Sequence, residues 1–269
     1  MKKYLITVGF IVGMVVAGWA QNEGEIPVPL SDPAKRGKLK AHLNYGSIVV
    51  KGTARKDVLV RYAAAAEDKH GHRSGNEKDG LKRISSGTLD LEVSENDNYV
   101  KVSSDSWNNK MNLTIEVPSG FDLDVHTYND GDLYISNIQG ELSLTNYNGE
   151  ITAENISGSV IATTYNGEIK VTFDKVTEGV PMSYSTYNGD VDLTFPAAMK
   201  ASFKMKTQQG EILSGFDMNV TRSGPVQKKD SRSGTYKVVI DDWVKGDING
   251  GGPEITIKNY NGDIILRKK

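Results

Sequence analysis

Residues 163–169 read TTYNGEI, and close variants stand at three other places: TNYNGEI at 145–151, STYNGDV at 185–191 and KNYNGDI at 258–264. Working outward from this motif, glycines occur at Gly131, Gly140, Gly149, Gly158 and Gly167, a spacing of nine each time. Two and four residues after each glycine the side chain is apolar: Leu133 and Ile135, Leu142 and Leu144, Ile151 and Ala153, Val160 and Ala162, Ile169 and Val171. The intervening positions are mostly polar, as in Glu141 with Ser143 and Glu150 with Thr152. Strict alternation over such short segments predicts β-strands with one buried and one wet face. The copies after Gly189, Gly210 and Gly262 keep the pattern, with Ser214 the single apolar position lost.

A finer rhythm doubles the period. The residue two before the glycine runs Ile138, Tyr147, Ile156, Tyr165, so two unlike halves make an eighteen-residue unit. Asn-Gly between alternating strands is a hairpin signal, which leaves an antiparallel meander or propeller open. The alternative is an all-β, single-stranded parallel β-helix or β-solenoid of about eighteen residues per coil, capped by less regular β segments at both ends. Stacked coils favour the second reading, because asparagine ladders and stacked aromatics explain why Tyr, Asn and Gly are kept together at one corner. In that reading Gly131, Gly140, Gly149, Gly158, Gly167, Gly189 and Gly262 are structural corners that use glycine's tolerance of positive φ. The tyrosines share their position with isoleucine and are expected half-buried.

Composition sets the compartment and narrows the function. The 269 residues include 28 glycines, no cysteine, and 32 basic against 34 acidic side chains, a formal net charge of −2. No basic face is implied, so nucleic acid is a poor partner. Residues 1–20 combine Lys2 and Lys3, an apolar run over 4–17 and small residues at Gly18 and Ala20, the features of a cleaved export signal. Export without cysteine means the fold must be held by a core or by backbone ladders, not by disulfides. No later apolar run is long enough to span a membrane. The expected product is exported, periplasmic or at the cell surface.

The remaining segments fit one domain. Residues 21–37 read as a flexible N-terminal segment and 38–269 as a single β domain, with polar loop insertions at about 63–87 and 218–234. Residues 95–98 suggest a hairpin, and Pro118 and Gly120 break two strands apart. The closing block INGGGPEITIKNYNGDI (248–264) predicts a final coil, with the charged Arg267, Lys268 and Lys269 protecting its open edge. The export signal, LKAHLNYGSIVVKG (39–52), GLKRISSGTLDLEV (80–93), LTIEVPSGFDLDV (113–125), the repeated YNGEI and that terminal block together resemble the "putative adhesin" family of bacterial envelope proteins. The resemblance implies an all-β solenoid in an exported, non-enzymatic protein and carries no binding site over.

Clusters that would carry chemistry are sparse. His70 and His72, beside Glu67 and Asp68, would be a two-imidazole metal site without a third fixed ligand. Asp122, Asp124 and His126 share one strand face, which suits an acid/base cluster and equally an ordinary wet face. The calcium-binding nonapeptide needs paired glycines that this chain lacks, although Asp132, Glu150, Glu168 and Asp190 form an acidic column. Asp190 with Asp192 would tempt a glycosidase assignment through paired carboxylates, but these acids belong to the ordinary outward parity. NGGGPE (249–254) is glycine-rich but lacks the Lys-Ser/Thr end of a phosphate loop. No catalytic residue, metal or cofactor is therefore assigned. The expectation is a non-catalytic solenoid whose corner column, Tyr147 with Asn148, Tyr165 with Asn166 and Tyr187 with Asn188, meets an unknown protein or glycan of the cell envelope. A carbohydrate-active enzyme on a β-helix, or an envelope-stress accessory, is the alternative.

Overall fold

The computed structural model describes residues 23–64, 90–222, 226–229, 236–239 and 243–269. The export signal at 1–20 and the His70/His72 segment lie outside the described residues. In chain order the strands are β1 (Glu23–Pro29), β2 (Lys38–Tyr45), β3 (Ile48–Thr53), β4 (Asp57–Ala64), β5 (Glu92–Asn96), β6 (Tyr99–Ser104), β7 (Met111–Pro118) and β8 (Asp122–Asn129). There follow β9 (Leu133–Ser136), β10 (Glu141–Asn146), β11 (Ile151–Thr163), β12 (Ile169–Val176), β13 (Met182–Ser185), β14 (Val191–Phe195) and β15 (Ala201–Lys206). The remainder are β16 (Ile212–Ser214), β17 (Asn219–Arg222), β18 (Val226–Lys229), β19 (Tyr236–Val239), β20 (Val244–Ile248), β21 (Glu254–Lys258) and β22 (Ile264–Lys268). No helix occurs among the described residues.

All of these strands except the separate β18–β19 pair form two layers, and the alternation explains why. One layer runs β1-β4-β7-β3-β9-β11-β12-β14-β22-β16, the other β5-β6-β2-β8-β10-β11-β13-β21-β15-β20-β17. Strand β11 serves both layers, changing register around Ile156 and Ser157 as it crosses from one to the other. Neighbours inside the stack run parallel, offset by 18 residues where Leu133 meets Ile151 and Ile151 meets Ile169, and by 22 where Ile169 meets Val191. Equivalent apolar residues therefore pile into columns. One column reads Leu113, Ile48, Leu133, Ile151, Ile169, Val191, Ile264, and each member is fully buried or nearly so. Each buried aliphatic side chain contributes about 1.5–3 kcal/mol of transfer free energy, so the repeated column is the main stabilising unit.

The stacking order departs from the chain order at both ends. Strands β21 and β22 do not close the stack. They lie between β13/β14 on one side and β15/β16 on the other. Strands β2 and β3 are likewise inserted between β6/β7 and β8/β9. The expected terminal coil is thus an internal one, and the ends are capped instead by antiparallel strands: β4 and β1 on one layer, β5, β20 and β17 on the other. Antiparallel return strands need only backbone partners and short connections, which makes them easy additions to an exposed edge.

Two segments read as loops are strands for that reason. Residues 21–37, expected to be flexible, contain β1, whose Pro27 and Pro29 sit where an edge strand tolerates a missing donor. The insertion at 218–234 contains β17, paired with β20, and β18, paired with β19. The expected β5–β6 hairpin is present, with Asp97 and Asn98 at φ of 51° and 61° in its turn.

Candidate functional site

Each coil turns twice, and the two corners are built differently. At the corner after the second layer the sequence is Thr/Asn-Tyr-Asn-Gly. The residue before the tyrosine points inward and donates to the carbonyl of the preceding coil's glycine: Thr164 Oγ1 to Gly149 at 3.0 Å, Thr186 Oγ1 to Gly167 at 3.0 Å, Asn146 Nδ2 to Gly131 at 2.9 Å and Asn259 Nδ2 to Gly189 at 2.8 Å; Thr207, which precedes Gln208 in a corner without tyrosine, donates in the same way to Gly262 at 2.9 Å. This recurrent donor was visible in the sequence as Thr or Asn preceding each of the corner residues Tyr128, Tyr147, Tyr165, Tyr187 and Tyr260, yet alternation alone gave it no role. At Asn146 and Asn259 the leftover Oδ1 is buried without a partner. Replacing Asn146 by Thr should therefore keep the bond and remove the orphan acceptor, raising stability by about 1 kcal/mol in a urea titration.

The asparagine after each tyrosine extends a ladder of side-chain amides. Asn148 Nδ2 donates to Asn129 Oδ1 at 3.0 Å, Asn166 to Asn148 at 2.7 Å, Asn188 to Asn166 at 2.7 Å and Asn261 to Asn188 at 3.1 Å. Each rung uses one donor and one acceptor of its amide. The tyrosines stack beside it. Ring centroids of Tyr128, Tyr147, Tyr165, Tyr187 and Tyr260 are 4.6–5.1 Å apart, with planes within 6° of parallel. Trp107 closes one end edge-on against Tyr128 at 5.1 Å. In the β2–β3 coil the position opposite Tyr128 is the buried Asn44, and Tyr45 falls one residue later beside Asn129, so Trp107 and not a tyrosine meets that end of the column.

These rings are 38–42% exposed, so the tyrosines are more open than their shared position with isoleucine suggested. Because each face is covered by the next ring, the column presents edges and hydroxyls. Neighbouring phenols feel one another: burial, the charges of Tyr260 and Tyr165, and a hydrogen bond with Tyr260 raise the Tyr187 phenol above its ordinary value. Beyond the glycine runs the acidic column. Asp132, Asp190 and Asp263 each accept the backbone N–H of the residue stacked on them, Glu150, Asp263 and Glu211, at 2.8 Å. Burial, then the charges of Glu150, Asp190 and Asp192, push the Glu168 carboxyl up.

The corner glycines serve two ends. Gly149, Gly167, Gly189 and Gly262 have positive φ, as expected, whereas Gly131, Gly140 and Gly158 do not. At the opposite corner the left-handed residues are Asn137 and Asn155, at φ of 58° and 55°. Glycine follows there because of close approach: a Cβ on Gly158 would overlap the carbonyl oxygen of Gly140.

The other candidate clusters are occupied by the scaffold. Asp122 pairs with Arg36 and accepts the Glu141 N–H, while Asp124 lies 2.6 Å from His126 Nε2. His126 is joined by His42, ring centroids 6.5 Å apart, because β2 inserts beside β8; no local pattern predicts that meeting. The two line a cavity of about 310 Å³ with Lys40, Lys101, Ser103 and Asp105. Asp192 accepts Arg267 Nε at 2.8 and 2.9 Å, and Asp190 is engaged by Asp263 N–H, so neither acid of that pair faces a cleft with the other. Among the described residues no group of three metal-binding side chains converges.

Fold and corner together define an all-β repeat protein whose most regular exposed feature is a ladder and not a catalytic cleft. Residues 121–250 match the family model described as Toastrack DUF4097. That match is in keeping with the adhesin-family resemblance of the sequence. A solved structure described as a "putative cell adhesion protein" from Clostridium sporogenes ATCC 15579 is 12% identical, with a TM-score of 0.46 over 92% of this chain and 100% of that one. Another, a "putative adhesin" from Bacteroides fragilis NCTC 9343, is 12% identical, with a TM-score of 0.37 over 92% and 97%. No curated protein matches the chain.

Proposed function

We propose that the protein is a non-catalytic β-solenoid that works outside the cytoplasm and uses its Tyr/Asn corner as a straight, rigid ribbon for an extended partner of the cell envelope. The observation that carries this reading is the column of five exposed, parallel-stacked tyrosines running beside an amide ladder. Stacked faces leave ring edges, phenolic hydroxyls and carboxamides to the partner, repeated at the coil spacing of about 4.8 Å. A row of uncharged donors and acceptors at a fixed interval suits the hydroxyls of a linear glycan better than a compact protein face, which needs about 800 Å² per partner. The ladder supports binding because its side chains are already ordered by stacking, so little rotamer entropy remains to be lost.

The test is an array of purified bacterial polysaccharides probed with the wild-type protein and with a Tyr165→Ser/Tyr187→Ser double variant. The expected result is saturable binding of at least one linear glycan, weakened at least tenfold in the variant while its far-UV circular dichroism stays native. Equal binding by both proteins would remove the ladder from the site. Capture of a protein partner with no glycan signal would move the reading to a protein-binding scaffold.

A further inference from the structure

On the edge opposite the tyrosines the eighteen-residue rhythm breaks. Where the coil before it needs one residue between Gly158 and Val160, the chain spends five between Val176 and Met182, which accounts for the offset of 22. That enlarged turn, the β14–β15 turn and the glycine-rich β20–β21 turn enclose a cleft of about 480 Å³. Its apolar lining is Val176, Pro196, Ala198, Met199 and Pro253. Beneath it the aliphatic filling of the other coils is replaced by aromatic: Phe173 takes the place paired with Ile156, and it stacks on Phe195 at 5.1 Å.

The walls are tied together by specific bonds. Asn249 Nδ2 donates to the carbonyls of Ala197 at 3.0 Å and Met199 at 2.6 Å, locking the glycine-rich turn to the β14–β15 turn. Asn249, Gly250 and Gly251 are three successive left-handed residues, at φ of 48°, 92° and 79°. A Cβ on Gly252 would come within 2.6 Å of the Lys200 carbonyl, so the turn lies against its neighbour only as glycine. Lys269 Nζ binds Asp174 at 2.6 Å and its backbone N–H meets the Phe195 carbonyl, fixing the third wall. The NGGGPE segment, which lacks a phosphate loop's chemistry, thus forms one side of a preformed cavity. Backbone held in sparsely populated conformations is retained where surrounding contacts enforce it, and such sites are often functional.

The charges at the mouth are unequal. With Asp174 bound by Lys269, the lining retains Lys175 and Lys200 against the single acid Glu178. A volume in the small-molecule range, a mainly apolar floor and two lysines at the rim define a ligand with an apolar body and one anionic head. We propose that this cleft binds a single-chain carboxylate amphiphile of the fatty-acid class, with the chain against Val176, Met199 and Pro253 and the carboxylate between Lys175 and Lys200. The site is separate from the tyrosine ribbon and does not depend on what that ribbon binds.

The test is calorimetric titration of the purified protein with dodecanoate below its micellar concentration, alongside dodecyltrimethylammonium and butyrate. Dodecanoate should bind saturably at one site per chain, and the cationic amphiphile and the short acid at least tenfold more weakly. Ala198→Trp, which places an indole in the mouth at an exposed position, and the charge-reversed Lys175→Glu/Lys200→Glu should each weaken dodecanoate at least tenfold. The Tyr165→Ser/Tyr187→Ser variant should bind it as the wild type does. Absence of saturable binding, equal affinity for the cationic amphiphile, or affinity unchanged in both cleft variants would overturn the assignment.

Discussion

Gly189→Val should lose more than about 4 kcal/mol of stability, a cost reserved for a few kinds of steric failure. Two penalties add at this position. Its φ of 135° is a conformation that a β-branched residue does not adopt, and any Cβ there would overlap the carbonyl oxygen of Gly167 in the coil below. Relief would require separating two coils, which breaks the Gly189 N–H bond to Asn261 and loosens the amide ladder on both sides. Two other glycines calibrate the effect. Gly179 has a φ of 78° but nothing within 4 Å, so valine there should cost only the backbone term, about 1 kcal/mol. Gly120 has neither constraint, and Gly120→Val should be nearly neutral. Urea denaturation of the three variants checks the order. A Gly189→Val midpoint equal to that of Gly179→Val would show that the coils do not approach as closely as described.

Removing residues 254–268 should abolish cooperative folding well beyond the deleted strands. An outermost coil would take with it only its own burial. Here β21 and β22 form the coil between β13/β14 and β15/β16, so deletion strips β15 and β16 of the only parallel partners they have among the described residues and exposes Tyr184, Leu193 and Phe195. Hydrogen exchange should show protection lost across 201–214 and weakened across 182–195, while β9, β10 and the first half of β11 keep theirs. Native-like protection over 201–214 in the truncated chain would contradict the interleaved order.

Much of the repeat was legible because period and parity are local. Alternation after each glycine assigns Ile151, Ile169 and Val191 to one buried column, and the structure pairs them directly. The Tyr-Asn-Gly corner was equally plain, since identical residues at one phase of a period have to coincide in space if coils stack. What the period does not carry is which coil neighbours which. Ile264 meets Val191 across 73 residues and Ile212 across 52, and neither separation leaves a mark in local sequence. The same gap hid His42 beside His126. Edge strands were missed for a different reason: β1 and β17 carry few apolar residues, β1 reaching the core only through Ile26 and Val28, and such polar or proline-bearing composition reads as loop. Gly131, Gly140 and Gly158 were assigned to corners through positive φ, but they do not adopt it; close approach of the neighbouring coil's backbone is what requires glycine there.

The interleaving has a bearing on how the chain reaches this state during synthesis. The earliest-made coil, β2 with β3, is not covered on both sides until residues up to 136 have emerged, and the slot between β14 and β16 stays open until the last strands arrive. Vectorial coil-by-coil growth from the N-terminus is therefore not available. The nascent polypeptide must hold bare β edges for most of its length and then shut two gaps with distant segments, which raises contact order and slows assembly. Such a protein is most exposed to aggregation until β21 and β22 fill the slot between β14 and β16, and that is the interval in which a holding chaperone would matter most.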